Sequence, residues 1–280
     1  MLAERHRKFH ALHQQGCFVI PNPWDMGSAR MMAASGAVAL ATSSAAFAFT
    51  LGRPDMGRVT REEALRHAED IVRATPLPAS GDFENGFADA PDDVAETIRL
   101  AAQAGLSGCS IEDTEMIDGN PAYDFEFAVD RIKAAADAAR ALPHPFMLCA
   151  RADGVMNGVY DLDEGIRRIQ AFERAGADLV YIPVPPGLQE LKRVIASVKA
   201  PVNALAAGPL TKLSVKEIAA IGARRISLGS MIARVTHAAI AEQMDAIMKD
   251  GDFTKLSAAA SGSKIDAMLI AGSDMENQNE

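Results

Sequence analysis

Cysteine is scarce in this 280-residue sequence: Cys17, Cys109 and Cys149 are the only three, each inside an apolar run. None forms a CxxC pair or a Cys/His metal pattern, which excludes a disulfide-stapled scaffold and points to buried thiols in a reducing cytosol. Tryptophan occurs once, at Trp24, and positive charge is outnumbered: 28 Lys and Arg against 37 Asp and Glu give a net charge of −9 and a pI near 5.2. An acidic chain so poor in aromatic stacking platforms speaks against nucleic acid as a partner. No apolar run is long enough to cross a bilayer, because the alanine-rich tract 37–51 is interrupted by Thr42, Ser43 and Ser44. No membrane partner is therefore expected, and a cytoplasmic location is. No GxGxxG follows the first apolar segment, so the fingerprint of a dinucleotide-binding fold is missing. The basic start MLAERHRKFHALHQQG contains Glu4 and no serine, which disfavours a transit peptide and favours a leading helix packed on the domain.

The hydrophobic content, 49%, suffices for a large core. Short apolar segments recur along the chain, each followed by a helical pattern. They are CFVIPN (17–22), AVALATSS (37–44), LPASGDFE (77–84), GCSIED (108–113), PFMLCARAD (145–153), DLVYIPV (178–184), APVNALA (200–206) and RRISLGS (224–230). Helices are expected from about Asp25, after Thr60 with Glu63 as a capping box, from near Pro91, and over about 124–141 and 161–175. The strand segments are continuously apolar, as in a parallel sheet buried on both faces. Glycines 36, 105, 176 and 222 stand where helices should stop before the next strand. Roughly eight such units read as an α/β fold, a (β/α)8 TIM barrel over residues 1–280 in one domain. An N-terminal helix precedes it, and an additional C-terminal helix at about 253–271 leads into a polar, frayed end.

In such a barrel chemistry gathers at the C-terminal ends of the strands. Those ends carry Asn22, Trp24, Asp25, Ser43, Ser44, Asp82, Glu84, Glu112, Asp113, Arg151, Asp153, Asn203, Ser227 and Gly229. The stretch SGDFENGF (80–87) sets Asp82 and Glu84 two apart, on one face of a strand. Two carboxylates tolerate that arrangement in open water or with a cation between them. Oxygen donors without a His or Cys cluster favour Mg²⁺ or Mn²⁺ over zinc, and an arginine opposite suits an anionic substrate.

In order along the chain, NPWDMGSAR (22–30), ATSSAAFAFTLGRPD (41–55), GDFENGF (81–87), SIED (110–113), ARAD (150–153), PVNALA (201–206) and ISLGS (226–230) resemble the isocitrate lyase/phosphoenolpyruvate mutase superfamily. The resembling branch holds oxaloacetate decarboxylases, methylisocitrate and dimethylmalate lyases, and phosphonopyruvate hydrolases. The resemblance implies a Mg²⁺ site that cleaves or forms a C–C or P–C bond beside an α-keto or α-hydroxy acid. By that likeness Asp82 is the main metal-side ligand, and Glu84, Glu112 and Asp55 hold the metal's waters. Ser43 and the backbone N–H groups of Ser44 and Ala45 cradle the substrate, and Arg151 neutralises the enolate or carboxylate. Asn203 lines the pocket, and Trp24 and Asp25 shape its floor. It also implies homo-oligomers, dimers or tetramers, in which the C-terminal helix at about 253–271 is exchanged between neighbours.

The chain departs from the superfamily pattern in two places. The Lys-Lys/Arg-Cys-Gly-His stretch that supplies the acid in isocitrate-type lyases is replaced by TEMIDGNPAYDFEF (114–127), and Pro183 stands where phosphonate enzymes carry a histidine. The expected function is a carbon–carbon lyase on a small α-keto or α-hydroxy (di)carboxylate, such as an oxaloacetate-type decarboxylase, with Tyr123, Glu115 or a water as the acid. The alternatives are an α-keto-acid-binding homologue without turnover, or a P–C bond enzyme.

Overall fold

The computed structural model describes residues 2–273. Its eight strands are β1 (Phe18–Ile20), β2 (Leu40–Ala41), β3 (Ala79–Asp82), β4 (Gly108–Glu112), β5 (Met147–Arg151), β6 (Leu179–Tyr181), β7 (Val202–Leu205) and β8 (Arg225–Ser227). These eight strands pair in parallel, each beside the next from β2 to β8, with β8 paired to β1. Ala41 N–H donates to the Pro21 carbonyl at 3.0 Å, bridging β1 and β2 and closing the barrel.

The first six helices are α1 (Leu2–Leu12), α2 (Met26–Ala34), α3 (Ser44–Thr50), α4 (Arg61–Ala74), α5 (Pro91–Gln103) and α6 (Phe125–Arg140). The remaining five are α7 (Leu162–Ala175), α8 (Leu188–Ala196), α9 (Val215–Ala220), α10 (Met231–Asp250) and α11 (Gly262–Ala271). Their starts are set locally. Thr60 and Glu63 form the expected reciprocal cap on α4, Ser214 and Glu217 repeat it on α9, and Pro91 opens α5. Gly36, Gly105, Gly176 and Gly222 take φ between 85° and 107°, a left-handed conformation that ends each helix without a Cβ clash.

One core lies between strands and helices, and includes Ile98, Leu106, Ile132 and Phe172. A second fills the barrel's N-terminal end, where α1 drives Phe9 against Ile20, Ala39, Ala41 and Met147. The leading helix is thus a plug for the barrel.

Two expectations change. The segment after β2 folds at once into α3, capped by Ser43, whose side chain accepts from Ala46 N. The helix expected at about 253–271 is split into a 3-10 turn (Thr254–Ala258) and α11, because Ser261 caps a new start. α11 then packs on α2 of its own barrel, with Gly272 against the Arg30 carbonyl. α10, by contrast, buries only Ala233 and Ala246 over its 20 residues. The polar end at 274–280 lies outside the described residues.

Candidate active site

Side chains alternate along a strand, so Asp82 of β3, Ser110 and Glu112 of β4 and Arg151 of β5 all point inward at the C-terminal end. They meet there. Arg151 Nη1 lies 2.7 Å from Asp82 Oδ1 and 2.9 Å from Glu112 Oε1. Its Nε and Nη2 grip both oxygens of Asp153 at 3.0 and 2.7 Å, a bidentate fork. Asp82 is held from the other side by Ser44, whose N–H and hydroxyl donate to Oδ2 at 2.9 and 3.0 Å, and by Ser110 Oγ on Oδ1 at 3.1 Å. Ser44 reaches that position because α3 starts immediately beyond β2.

Glu84 follows the strand on a backbone at φ 46°, a left-handed conformation uncommon for a residue with a side chain. One of its oxygens accepts from Gly57 N–H at 3.2 Å, while Oε2 is buried with no partner among the described residues. Gly57 is itself left-handed at φ 65°, and a Cβ there would meet Met116 at 2.9 Å. Glycine therefore lets the loop before α4 touch the loop after β4 above the site. The space left between Thr42, Ser43, Ser44, His67 and Asp82 is about 10 Å³, room for one water at most.

Negative charge is in excess. Burial first, then the neighbouring carboxylates Asp82 and Asp55, push the Glu84 carboxyl up to about 7, against the Gly57 hydrogen bond. Burial also raises Asp55 and Asp153, and raises Glu112 well above the usual range despite Arg151. Arg151 remains a cation: burial opposes its charge, but Asp153, Glu112 and Asp82 outweigh that. Five carboxyl groups thus surround one guanidinium.

Of the residues expected at the site, Asp55, Ser44, Asp82, Glu84, Glu112 and Arg151 come together, with Ser43 and Ala45 alongside at the start of α3. Four others have different positions. Asp25 caps α2, accepting from Ser28 N–H at 2.6 Å, because a short carboxylate at a helix start satisfies free N–H groups. Trp24 and Asp25 line an apolar cavity of about 870 Å³ shared with α2, α10 and α11. Asn203 is wholly buried inside the barrel, with Nδ2 donating to Ser227 Oγ at 2.9 Å and Oδ1 accepting from Arg225 Nε at 2.7 Å. Tyr123 is buried away from Arg151, its hydroxyl bonded to Asp89 and Asn85, and burial raises it to about 12.

Several contacts escape a reading of the sequence, including those of Asp113, which it places only at a strand end. Asp113 accepts from Asp153 N–H at 2.8 Å, from Tyr160 Oη at 2.7 Å and from Arg168 Nη1 at 3.1 Å, and so holds the partner of Arg151. His67, raised on α4, meets the Trp24 carbonyl at 3.0 Å and stacks on Phe47 of α3 at 3.9 Å. Only the two-residue spacing of Ser110 from Glu112 offered a signal, since it places that hydroxyl on the inward face.

Residues 9–248 match the family described as phosphoenolpyruvate phosphomutase. A protein of Burkholderia cenocepacia J2315, provisionally described as a lyase or mutase, is 45% identical; its crystal structure superposes with a TM-score of 0.92 over 97% of this chain and 98% of that one. The 2-methylisocitrate lyase of Shewanella oneidensis is 32% identical over 208 residues, 71% of this chain and 70% of the relative. An oxaloacetate acetylhydrolase in complex with its product oxalate shares the fold, with a TM-score of 0.84 over 99% and 98% of the two chains at 23% identity. The motif series and the barrel thus agree with the comparisons: this chain belongs to the phosphoenolpyruvate phosphomutase family, within the isocitrate lyase/phosphoenolpyruvate mutase superfamily.

Proposed function

We propose that this chain is a Mg²⁺-dependent lyase that cleaves a C–C bond of a small α-keto or α-hydroxy (di)carboxylate through an enolpyruvate-like anion. The observation that carries this reading is the imbalance of charge. Asp82, Glu84, Glu112, Asp55 and Asp153 gather around Arg151 alone, and Glu84 Oε2 is buried without a partner.

A divalent cation fits these donors through water. Among the described residues no three carboxylates or imidazoles converge closely enough to ligate an ion directly. Mg²⁺ keeps several of its waters and needs only one or two carboxylates. Asp82 would be the direct ligand, with Glu84, Glu112 and Asp55 receiving the ion's water protons; Mn²⁺ suits the same oxygens. When bound, the ion supplies Lewis-acid polarisation of the substrate oxygens.

The protein's own residues account for the rest. Cleaving a bond next to a keto group leaves negative charge on the enolate oxygen. Arg151 is held by Asp153 so that Nη1 faces the position where that charge grows, and a preorganised donor lowers the barrier without needing to reorient. Nη1 is bonded to Asp82 and Glu112, so substrate competes with them for it. Ser43 and the first N–H groups of α3, including Ala45, lie beside Asp82 where a substrate carboxylate can be received. No nucleophile is required.

The experiment is pyruvate release, coupled to lactate dehydrogenase, from oxaloacetate, methylisocitrate, dimethylmalate and phosphonopyruvate with Mg²⁺. Asp82→Ala protein is the control, because free Mg²⁺ decarboxylates oxaloacetate unaided. Chelator-sensitive release above that control supports the lyase and names its substrate class. No release from any of them, with oxalate still bound, supports a keto-acid-binding protein without turnover. Release from phosphonopyruvate alone supports P–C chemistry.

We also infer that α10 is covered by a second copy of the chain. Val235, Ile240, Met244 and Met248 are 62, 59, 46 and 73% exposed, and the helix that should close the barrel after β8 lies off it. The apolar cavity beside β1 and α2 marks the face left uncovered. The exchanged element then includes α10, ahead of the segment at about 253–271.

A further inference from the structure

The loop between β3 and α5 holds an unfavourable conformation directly at the site. Glu84 and Phe87 have φ of 46° and 58°, and Gly86 between them has 85°. Left-handed residues with side chains persist only where surrounding contacts hold them. Here the principal contact is a single side chain, Arg131 of α6, which is wholly buried.

Among the described residues Arg131 has no carboxylate hydrogen-bond partner. It spends its donors on four backbone carbonyls: Nε on Asp89, Nη1 on Glu112 at 3.0 Å, and Nη2 on Asn85 and Ala88. Its guanidinium lies 4.0 Å over the Tyr123 ring, whose hydroxyl bonds Asn85 and Asp89 of the same loop. One planar group thereby ties the residue after Glu84 to Glu112 itself. Glu112 N–H also donates to the Glu84 carbonyl at 2.8 Å, so the two acidic residues are joined from both sides. A lysine in this place has the charge but not a planar fork that reaches both strand ends at once.

We propose that Arg131 is the positioning residue that fixes the separation and aim of the Glu84 and Glu112 carboxylates. The proposal rests on the reading of these residues as the metal side of the site. Without the guanidinium the loop relaxes toward right-handed backbone, and Glu84 turns out of the cluster. The charge on Arg131 also lies beneath the crowded carboxylates, where burial works against it and Tyr123, Asp89, Asp113 and Glu112 favour it.

The test is Mn²⁺ binding in the absence of substrate, read by electron paramagnetic resonance of free Mn²⁺, on the full chain. Outer partners of metal-binding residues typically contribute about 10–100-fold to affinity, and Arg131→Lys is expected to weaken Mn²⁺ by that factor. Ile132→Val, a core change on the same helix, is expected to leave it within about twofold. Thr97→Val removes a different anchor of the loop, the hydroxyl that donates to the Gly86 carbonyl at 2.7 Å, and is expected to weaken Mn²⁺ by a smaller factor. It decides the matter should Arg131→Lys not fold. Folded Arg131→Lys with native affinity overturns the positioning role alone; if Arg131→Lys does not fold, native affinity in Thr97→Val overturns it. A native protein that binds no Mn²⁺ overturns the metal reading and this proposal with it.

Discussion

The two ends of the barrel bury ionisable groups in opposite ways. At the N-terminal end, burial brings His6 down to about 4 and His13 to about 3, so both are neutral at physiological pH. His6 meets Ser107 Oγ at 3.1 Å and stacks on His144, and His13 donates from Nδ1 to the Phe9 carbonyl at 2.8 Å. At the C-terminal end one group, Arg151, keeps its charge amid a crowd of acidic side chains that burial pushes up, Glu84 to about 7 on a left-handed backbone. A region that serves stability gives up its charge. A region that keeps an excess of one sign is arranged for something that is not part of the chain.

The sharpest break in this comparison comes from Asp82→Asn. It conserves shape at the crowded end while removing the charge, and turnover should fall by about 10³-fold or more with the melting temperature shifted only slightly. Coupled kinetics and thermal melting on the same protein check it.

Phe9→Ala should do the reverse. Removing the plug's aromatic ring should destabilise by about 3–5 kcal/mol, measured by urea unfolding, with kcat nearly unchanged in the protein that remains folded. Loss of turnover equal to that of Asp82→Asn would erase the distinction between the ends.

The pH dependence separates them more finely. His6 and His13 have folded pKa values below the unfolded 6.5, so the unfolded chain binds more protons below that pH. Their contribution is complete above pH 6.5 and is lost as pH falls toward 4. Glu84 runs the other way: its folded value near 7 exceeds 4.5, so its contribution is complete below 4.5 and is lost as pH rises to about 7. Melting temperatures of His13→Phe and Glu84→Gln across pH 4–8 should flatten the acid and neutral limbs respectively, each by about 5 °C or less.

The smallest effect is expected from surface α10. Ile240→Glu with Met248→Glu should shift the oligomer toward monomer in light scattering while leaving the melting temperature of the monomeric barrel within a few degrees, because neither side chain is buried in its own chain.

Most of the barrel was legible because its signals are local. Continuous apolar strands, the Thr60–Glu63 cap and the four stop glycines each need only a few neighbouring residues. Polar residues at strand ends revealed Asp82, Glu112 and Arg151 because alternation fixes which way they point. α3 was hidden, since only Thr42, Ser43 and Ser44 separate the apolar run Ala45 to Phe49 from the strand before it. Asn203 looked like a rim residue, but its amide is consumed by Arg225, an arginine inside a strand whose partner no local pattern announces. Arg131 and Arg168 act on residues 19 to 55 positions away, so their roles exist only in the folded chain.

The central claim is that the carboxylate cluster and Arg151 bind a divalent cation and a small dianion together. Calorimetric titration of oxalate, a mimic of the enolpyruvate anion, tests it most directly. The account predicts heat of binding with Mg²⁺ present, loss of that heat with chelator, and affinity at least about tenfold weaker in Arg151→Lys. Oxalate binding equally well in chelator, or unchanged in Asp82→Asn, would contradict it.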